Sequence, residues 1–330
     1  MVSRAASHPT LPHPTSMKLQ LVDRLAELPY RVRPWASPGP QTWPVSKADL
    51  ARISILWPGD YDWKGYEGIM ETIKRGLTRL GALRLASTPQ TFRGVVTLEC
   101  RVDGVAHTVI LDLADKPEFL NRDALAACSL YIKAEYGEEG YGDPKVIRGG
   151  YPVTGNDFYK YYRPYRTMGA KRRLFDVVGR FGYQFQGEIR RKGVELLSIA
   201  RDINYVGAKG KVRYSRFLRE VAASRLCLHL PGNGPFTHRV AEFCGLGSCM
   251  VSIRFTTELH VPLEPGVHYV QVADDLSDLV DKCRYYIAHD AEREAIAAAG
   301  REYFDRYLHC DQLACYYVRT ILDRIGGGRA

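Results

Sequence analysis

Short apolar runs and amphipathic segments alternate along the second half of this chain, and the alternation restricts the fold more than any other feature. The run LCLHL at 226–230 predicts a buried strand, PGNG breaks it, and the segment opening at Thr237 predicts a helix that ends at GLGS. A second apolar run, CMVS, follows at once. Strands joined through helices lie parallel in a sheet that helices cover on both faces, so the pattern predicts an α/β fold.

The first half of the chain shows a related but less regular pattern. ARISILW at 51–57 predicts a strand, and YEGIMETIKRGLTRL at 66–80 predicts an amphipathic helix that Gly81 closes. Two further strands, VVTLECRV and AHTVILDL, flank Asp103 and Gly104, which together form a strong hairpin signal. A hairpin is foreign to a purely parallel sheet, so we expect this half to depart from the plan of the second.

Length and composition limit the class of protein. The chain has 330 residues, 45% of them apolar, which suffices for two domains with their own cores. No apolar run approaches the roughly 20 residues that cross a membrane. Residues 1–17 lack the apolar stretch of a secretory signal, and we interpret them as a disordered leader. Eight cysteines without a C-x-x-C pair predict reduced core thiols, as in a cytoplasmic protein.

Positive charge is concentrated in one band. Residues 160–192 hold ten Lys and Arg against two acids, which accounts for +8 of the chain's formal charge of +9. An anionic partner is therefore expected near this band. The stretch KYYRPYR at 160–166 interleaves aromatic rings with arginine, which leaves two interpretations open: stacking on nucleic-acid bases, or a solvated basic connection between domains.

A phosphate-bearing small molecule explains more of these residues. Basic side chains follow one predicted strand at Arg180 and begin the next helix at 190–192, where free N–H groups and the helix dipole favour an anion. In PGNGPFTHR the glycines allow the backbone to approach a ligand closely, and Thr237 is predicted as the helix N-cap. Arg239 adds a cation, and a carboxylate such as Glu242 suits a site where it accepts hydrogen bonds from sugar or ribose hydroxyls.

Residues 171–322 resemble the donor-binding domain of GT-B-fold glycosyltransferases, closest to the glycosyl transferases group 1 and exostosin/CAP10-like branches. The resemblance rests on FDVVGRF…GEIRRKGVELL, on LHLPGNGPFTHRVAEFCGLGSCMVS, and on the closing helices from DDLSDLVDKC onward. It implies two Rossmann-like domains that face a cleft, hinged near residues 160–172. The implied divisions are a leader, an acceptor-side domain, a donor-binding domain and a last helix that returns to the first domain: 1–17, 18–165, 166–305 and 306–330.

The resemblance also assigns roles to the basic and glycine-rich residues. The cations would meet the diphosphate of a nucleotide-sugar, the glycine stretch would line the donor sugar, and the acid would bind ribose or sugar hydroxyls. In chain order the residues are Arg180, Arg190, Arg191, Lys192, Gly232, Asn233, Gly234, Thr237, His238, Arg239 and Glu242, with His238 in a secondary role. Two features depart from the group 1 pattern: Lys192 follows Arg180 at a longer spacing, and only one glutamate stands in the block.

Sugar transfer in an inverting enzyme also needs a base for the acceptor hydroxyl, which GT-B enzymes usually take from the N-terminal domain. The loop PGDYDWKG at 58–65 offers Asp60 as the first candidate and Asp62 as the second. Two other interpretations stay open: an Asp-rich turn that caps the next helix, or the D-x-D motif that holds a divalent metal in GT-A enzymes. We expect no metal and no other cofactor, because the basic residues lie in the other half and can neutralise the diphosphate.

The predicted function is therefore metal-independent transfer of a sugar from a nucleotide-sugar to a hydroxyl of a glycan, glycolipid or similar acceptor. The expected location is the cytoplasm, either free or peripheral at the inner face of the membrane. Two alternatives remain: a nucleic-acid-binding protein that uses the Tyr/Arg-rich band 160–192, although no nucleic-acid partner is expected, and a catalytically silent GT-B-like binding module. Oligonucleotide binding without nucleotide-sugar affinity would support the first, and donor binding without hydrolysis the second.

Overall fold

Two separate sheets organise the chain in the computed structural model. The structure describes residues 39–59, 61, 65, 67–85, 90–155, 157–171, 173–207 and 212–327. A mixed six-stranded sheet occupies the first half and a parallel five-stranded sheet the second. The predicted α/β class with parallel sheets is confirmed.

The N-terminal sheet carries one strand that runs against its neighbours. In chain order the strands of this half are Ile53–Trp57 (β1), Leu83–Leu85 (β2), Val96–Val102 (β3), Val105–Asp112 (β4), Leu130–Lys133 (β5), Tyr136–Gly137 (β6) and Val146–Arg148 (β7). The sheet order is β2-β1-β3-β4-β5-β7, and only β3 is antiparallel within it. The carboxyl ends of β1, β4, β5 and β7 therefore meet at one edge.

The predicted hairpin is confirmed. Strands β3 and β4 pair in antiparallel register from Val102 and Val105 outward. The two residues between them, Asp103 and Gly104, have φ of 50° and 83°. This left-handed pair matches the right-handed twist of the strands, as two-residue hairpin turns require.

The C-terminal sheet is parallel throughout. Its half of the chain contains the strands Phe175–Val178 (β8), Tyr205–Val206 (β9), Ser224–His229 (β10), Cys249–Ser252 (β11), Thr257–Glu258 (β12) and Val270–Gln271 (β13). The sheet order is β13-β11-β10-β8-β9. β10 is central and covered on both faces, which explains why its sequence is a continuous apolar run.

Helices cover both sheets. They are Lys47–Arg52 (α1), Glu67–Leu80 (α2), Arg122–Ala127 (α3), Phe158–Lys171 (α4), Gly187–Ile199 (α5), Tyr214–Ala222 (α6), His238–Leu246 (α7), Leu279–Ala288 (α8), Asp290–Tyr303 (α9) and Cys310–Ile325 (α10). On α8 an apolar stripe faces inward, since Leu279 and Cys283 are buried in the core of the C-terminal sheet. None of the helices in the described chain has the length and apolar character needed to cross a bilayer.

The last helix, α10, packs against α2 beside the N-terminal sheet. A Cβ atom added at Gly76 would lie 2.1 Å from the Cys310 carbonyl oxygen, so only glycine allows the two helices to approach this closely. Arg79 donates to the Asp311 carboxylate at 2.9 Å across the same contact. The chain thus ends its fold against the half in which it began.

The expected hinge at 160–172 falls largely within helix α4, so the interpretation of this stretch as a solvated basic connection is wrong. Tyr159, Tyr162 and Tyr165 are buried in the core, and the Arg166 guanidinium pairs with the Asp305 carboxylate at 2.5 and 2.9 Å. Aromatic residues at helical spacing bury one face of α4, and Arg166, which follows them, pairs with an acid on the facing helical segment. The rings of Tyr159, Tyr162 and Tyr165 are held in this core and are not available to stack on bases. That no nucleic acid binds the rest of the band stays a prediction.

Strand β6 joins the two halves. It pairs with β12 in antiparallel register, Thr257 opposite Gly137 and Glu258 opposite Tyr136. Ion pairs flank this small sheet: the Arg254 guanidinium binds the Glu138 carboxylate through two contacts of 2.9 Å. The halves are therefore in direct backbone contact beside the edge where their parallel strands end.

All eight cysteines are buried and unpaired, as predicted for core thiols. Burial raises the pKa of Cys227 and Cys244 to about 12. Such thiols stay protonated at neutral pH and act as small apolar residues.

Candidate functional site

The glycine loop, residues 231–236 (PGNGPF), connects β10 to α7 at the carboxyl edge of the C-terminal sheet. Arg190, from the first turn of α5, holds its beginning: Nε donates to the Pro231 carbonyl and Nη1 to the Gly182 carbonyl, both at 2.8 Å. Burial, with Arg239 nearby, lowers the pKa of Arg190 to about 10. The structure thus gives Arg190 a role in bracing the loop, and its contact with a phosphate stays a prediction.

Arg239 lies in the first turn of α7. Thr237 is the N-cap of this helix, as predicted, and its Oγ1 accepts a hydrogen bond from the Arg239 backbone N–H at 3.3 Å. The Arg239 guanidinium lies over the rings of Phe181 and Phe217, 5.0 and 5.9 Å from their centroids. Within the described chain no carboxylate lies within ion-pair distance of it, and burial lowers its pKa. Glu242, one turn along α7, acts against this shift of the pKa but does not lie within ion-pair distance. A cation that makes no ion pair in the described chain, at the positive end of a helix, suits an anionic ligand.

Glu242 follows Arg239 by one turn and is fully buried. Its Oε1 accepts a hydrogen bond from the Tyr214 hydroxyl at 2.6 Å, while Oε2 has no partner among the described residues. Burial raises the pKa of Glu242 to about 7. The carboxyl group therefore keeps one buried oxygen ready for a hydrogen bond from a ligand.

Two histidines face the same region. His229 ends β10, its Nδ1 lies 2.9 Å from the Ser252 hydroxyl, and its Nε2 lacks a partner in the described chain. Burial holds the pKa of His229 well below the usual range and lowers that of His238 to about 4, with Arg239 adding to both effects. Both rings are neutral at neutral pH, so they serve as hydrogen-bonding groups and not as cations.

The remaining predicted cations lie apart from this cluster. The Arg180 guanidinium makes a two-point ion pair with the Glu220 carboxylate, at 2.5 and 3.1 Å. Arg191 and Lys192 are exposed on α5, where the Arg191 guanidinium lies 5.7 Å from the Tyr183 ring centroid. The structure therefore brings together Arg190, Arg239 and the glycine loop, while Arg180 is occupied by an acid that the sequence did not point to.

Asp60 and Asp62, the predicted base candidates, lie outside the described residues. At the facing edge of the N-terminal sheet the structure reveals polar groups that the sequence analysis missed. They follow or end β4 and β5: Asp112, Asp115, Lys133 and Glu135. The signal was present in LDLADK, which puts charged residues at the end of a predicted strand, the same rule that pointed to Arg180. In YIKAEY charged residues likewise follow an apolar run.

Asp112 and Lys133 form a sealed ion pair. Both side chains are fully buried, and Lys133 Nζ lies 3.2 Å from Asp112 Oδ1. The Tyr131 hydroxyl donates to Asp112 Oδ2 at 2.7 Å, and Lys133 Nζ donates to the Lys116 carbonyl at 2.9 Å. Because each charge already has its partners inside the protein, we assign this pair to the structure of the edge.

Asp115 lies against the glycine loop from the opposite half. Its carboxylate is hydrogen-bonded by the Asn233 side chain, and the Tyr151 hydroxyl lies 3.4 Å from Oδ1. A Cβ atom added at Gly234 would lie 2.2 Å from the Asp115 carbonyl oxygen, so the close approach requires glycine. Burial raises the pKa of Asp115, which makes its carboxylate a stronger base than an exposed one.

One group in the described chain has metal-ligand atoms close together: His309, Cys310 and Asp311, at the start of α10. Asp311 is already paired with Arg79, and burial raises the pKa of the Cys310 thiol to about 12. His309 Nδ1 caps the helix by accepting a hydrogen bond from the Asp311 backbone N–H. These side chains serve the helix end and do not fit a metal centre.

Comparison with known proteins indicates similarity to glycosyltransferases. Residues 163–319 match a family model described as "Glycosyl transferase-like". Protein O-glucosyltransferase 2 of Danio rerio is 42% identical over 55 residues, which are 17% of this chain and 11% of the relative. Protein O-glucosyltransferase 1 of Mus musculus is 27% identical over 124 residues, which are 38% of this chain and 29% of the relative. The predicted resemblance to glycosyltransferases is thus confirmed for the C-terminal half.

Two solved structures are similar at low sequence identity. Anabaena HepE, in complex with UDP and glucose, gives a TM-score of 0.41 at 13% identity, covering 65% of this chain and 71% of that one. An alpha-glucosyltransferase bound to UDP and a mismatched 13-mer DNA gives a TM-score of 0.44 at 12% identity, covering 76% and 83%. The sequence matches span less than a third of the length of each of the two O-glucosyltransferases.

Proposed function

We propose that this protein, whose residues 163–319 form a glycosyl transferase-like domain, moves a sugar from a nucleotide-sugar to an acceptor hydroxyl. The acceptor class is a glycan, a glycolipid or a similar hydroxyl compound. One observation carries the proposal: Arg239 makes no ion pair in the described chain, feels only the field of Glu242 one turn along, and lies at the N-terminus of α7 beside the glycine loop. The diphosphate of the nucleotide-sugar donor is the anion that fits this arrangement.

Stabilisation of the leaving diphosphate comes from the Arg239 guanidinium and the positive end of the α7 dipole. Charge-assisted hydrogen bonds from a guanidinium to phosphate oxygens are stronger than neutral ones, and partial burial strengthens them further. Negative charge grows on the diphosphate as the glycosidic bond breaks, so the same groups bind the transition state more tightly than the ground state. The buried Oε2 of Glu242 accepts a hydrogen bond from a donor hydroxyl in this proposal.

The acceptor hydroxyl must lose its proton, and the N-terminal edge supplies the base. Asp60 and Asp62 remain the candidates from the sequence. Asp115 is a third, since its carboxylate faces the glycine loop from across the cleft and burial raises its pKa. We propose Asp60 as the base and Asp115 as the group that orients the acceptor hydroxyl.

Metal independence, a cytoplasmic location, free or peripheral at the membrane, and a glucose-carrying donor belong to the same proposal. The first is supported by Arg239, a cation that a chelator does not remove. The glucose-carrying donor is supported by the names of the two relatives, both O-glucosyltransferases. A silent binding module remains the second candidate, and it differs from the enzyme by binding donor without hydrolysing or transferring it.

The test is donor binding to wild type and to two arginine variants. A thermal-shift panel of UDP-, GDP-, ADP- and dTDP-glucose, with matching galactose donors, should single out one nucleotide, because only a true donor stabilises the folded state. Arg239→Ala should weaken its affinity by about 1.5–3 kcal/mol, the range for hydrogen bonds to charged groups. Arg201→Ala removes an exposed arginine just after the far end of α5, is the matched control and should bind like wild type. Equal affinity in wild type and Arg239→Ala would contradict the phosphate assignment.

A further inference from the structure

We propose that Glu135 is a positioning residue that holds the glycine loop in its donor-binding shape from across the cleft. Glu135 Oε1 accepts a hydrogen bond from the Phe236 backbone N–H at 3.2 Å, and Oε2 accepts one from the Thr257 hydroxyl at 2.8 Å. Its side chain is fully buried. The donor role rests on the proposed function, whereas the loop contact stands on the geometry alone.

The loop is anchored at both ends, once from each half of the protein. Arg190, from the C-terminal half, binds the Pro231 carbonyl at the beginning. Glu135, from the N-terminal half, binds the Phe236 N–H at the end. Between the two anchors lies Gly232–Gly234, the stretch assigned to the donor sugar. Its shape therefore depends on a residue about a hundred positions away in sequence.

Packing around the second anchor leaves little freedom. The Phe236 ring stacks on Phe255 with centroids 4.5 Å apart and planes 8° from parallel. A Cβ atom added at Gly234 would lie 3.0 Å from Glu135 Oε1, so the loop backbone rests directly on the carboxyl group. Rotation of the Glu135 side chain would leave the Phe236 N–H buried without an acceptor, which is costly.

The carboxyl group of Glu135 does more than occupy volume. Burial raises the pKa of Glu135 to about 8, with Asp115 adding to the effect and Lys133 opposing it. An apolar side chain of similar volume would avoid the cost of burial but could not accept from Phe236 N–H and Thr257 Oγ1 together. Glu135 lies behind the loop, so it acts through the loop and not on the reacting atoms.

Loss of the Glu135 carboxyl group should weaken donor binding without slowing the chemical step. Glu135→Ala should let the loop move, which raises the donor KM about tenfold or more and leaves kcat within a few-fold of wild type. Glu135→Gln keeps an acceptor oxygen for Phe236 N–H, and its amide can donate to Thr257 Oγ1. It should therefore restore most of the donor affinity, whereas Glu135→Met, which keeps the volume but has no oxygen to accept from Phe236 N–H, should not. A merely volumetric role predicts that Gln and Met restore it equally.

Amide hydrogen exchange of the peptide that contains residues 231–236 tests the loop contact without a donor. The peptide should exchange faster in Glu135→Ala than in wild type, and at nearly the wild-type rate in Glu135→Gln. Glu138→Ala is the matched control: it removes the exposed ion pair with Arg254, which also joins the halves but does not touch the loop. It should change neither the exchange of the loop nor the donor KM.

The outcomes separate cleanly. Unchanged loop exchange in Glu135→Ala, or an equal increase in Glu138→Ala, overturns the proposal. If Glu135→Ala does not fold, Glu135→Met decides, since it keeps the side-chain volume but removes the oxygen that accepts from Phe236 N–H: faster loop exchange supports the contact and wild-type exchange refutes it. If the wild-type protein binds no nucleotide-sugar although the loop responds to Glu135→Ala, the proposed function fails and Glu135 remains only the holder of the loop.

Discussion

The two edges that face each other in this protein use their charged residues in opposite ways. At the C-terminal edge, Arg239 makes no ion pair in the described chain and Glu242 keeps a buried oxygen without a hydrogen-bond partner there. At the N-terminal edge, Asp112 and Lys133 satisfy one another, and Glu135 binds two donors of the facing half. The C-terminal edge keeps polar groups available for a ligand, whereas most charged groups of the N-terminal edge are bound within the protein. Function follows from the groups that folding leaves unpaired.

The largest expected effect lies at the N-terminal edge and concerns the base. Asp60→Asn should lower kcat about 10²–10⁴-fold, the usual contribution of general base catalysis, with donor affinity nearly unchanged because a base acts on the acceptor. Asp115→Asn should cost less, since it loses only orientation. Single-turnover rates and donor affinities of both variants are the measurement. The reverse order of the two effects would identify Asp115 as the base.

Breaking the buried Asp112–Lys133 ion pair should lower the stability of the protein and not its catalytic rate. Lys133→Met leaves Asp112 buried without its partner and should lower the free energy of unfolding by about 3–5 kcal/mol. Asp112→Leu combined with Lys133→Met should recover part of this loss, because neither charge is then buried. Arg254→Ala, which breaks an exposed ion pair, should cost at most about 1 kcal/mol. Urea unfolding compares the three, and a Lys133→Met variant as stable as Arg254→Ala would refute a structural role.

Acid should destabilise the protein through its buried histidines. Burial lowers the pKa of His260 from 6.5 to about 3, so between these values the unfolded chain binds a proton that the folded His260 does not. Stability must then fall as pH drops through this window, by at most about 1.4 kcal/mol per pH unit for one group. His260→Phe keeps an aromatic ring beside Trp43 and Tyr316 and should flatten the slope between pH 6 and 4. His107→Phe, at a half-exposed strand position, is the control, and equal slopes in all three proteins would contradict the assignment.

The smallest expected effect is that of a metal chelator on turnover, which should be zero. Because Arg239 and the start of α7 neutralise the diphosphate, EDTA should leave turnover unchanged. In the alternative, a D-x-D pair at Asp60 and Asp62 holds a divalent ion, and a chelator abolishes turnover. Turnover lost with EDTA and restored by Mn²⁺, together with loss of donor binding in Asp60→Asn, would replace the proposed mechanism by a metal-dependent one.

The C-terminal half could be predicted from sequence because its signals are local. Strand β10, the cap at Thr237 and helix α7 follow one another within about twenty residues, so periodicity and capping rules suffice. The hairpin at Asp103 and Gly104 was predictable for the same reason. Arg190 and Arg239 were found because they belong to this local pattern.

The parts that were missed depend on contacts between distant residues. The band at 160–166 looked solvated because its acid, Asp305, comes 139 residues after Arg166. Glu135 and Phe236 are 101 residues apart, and no local rule joins them. Arg180 stood where a phosphate ligand was expected, yet its partner Glu220 comes from a helix that packs beside it only in three dimensions. Sequence patterns name the groups at a strand end, and packing decides which of them stay unpaired.

The contact between α2 and α10 has a consequence for synthesis on the ribosome. Helix α2 emerges early, but the surface around Gly76 and Leu77 is covered only when residues 310–325 have left the exit tunnel. Domains usually fold as they emerge, N-terminal part first. Here the α2 surface around Gly76 must wait for the last helix, and a nascent chain stalled before residue 310 would leave that surface exposed to chaperones.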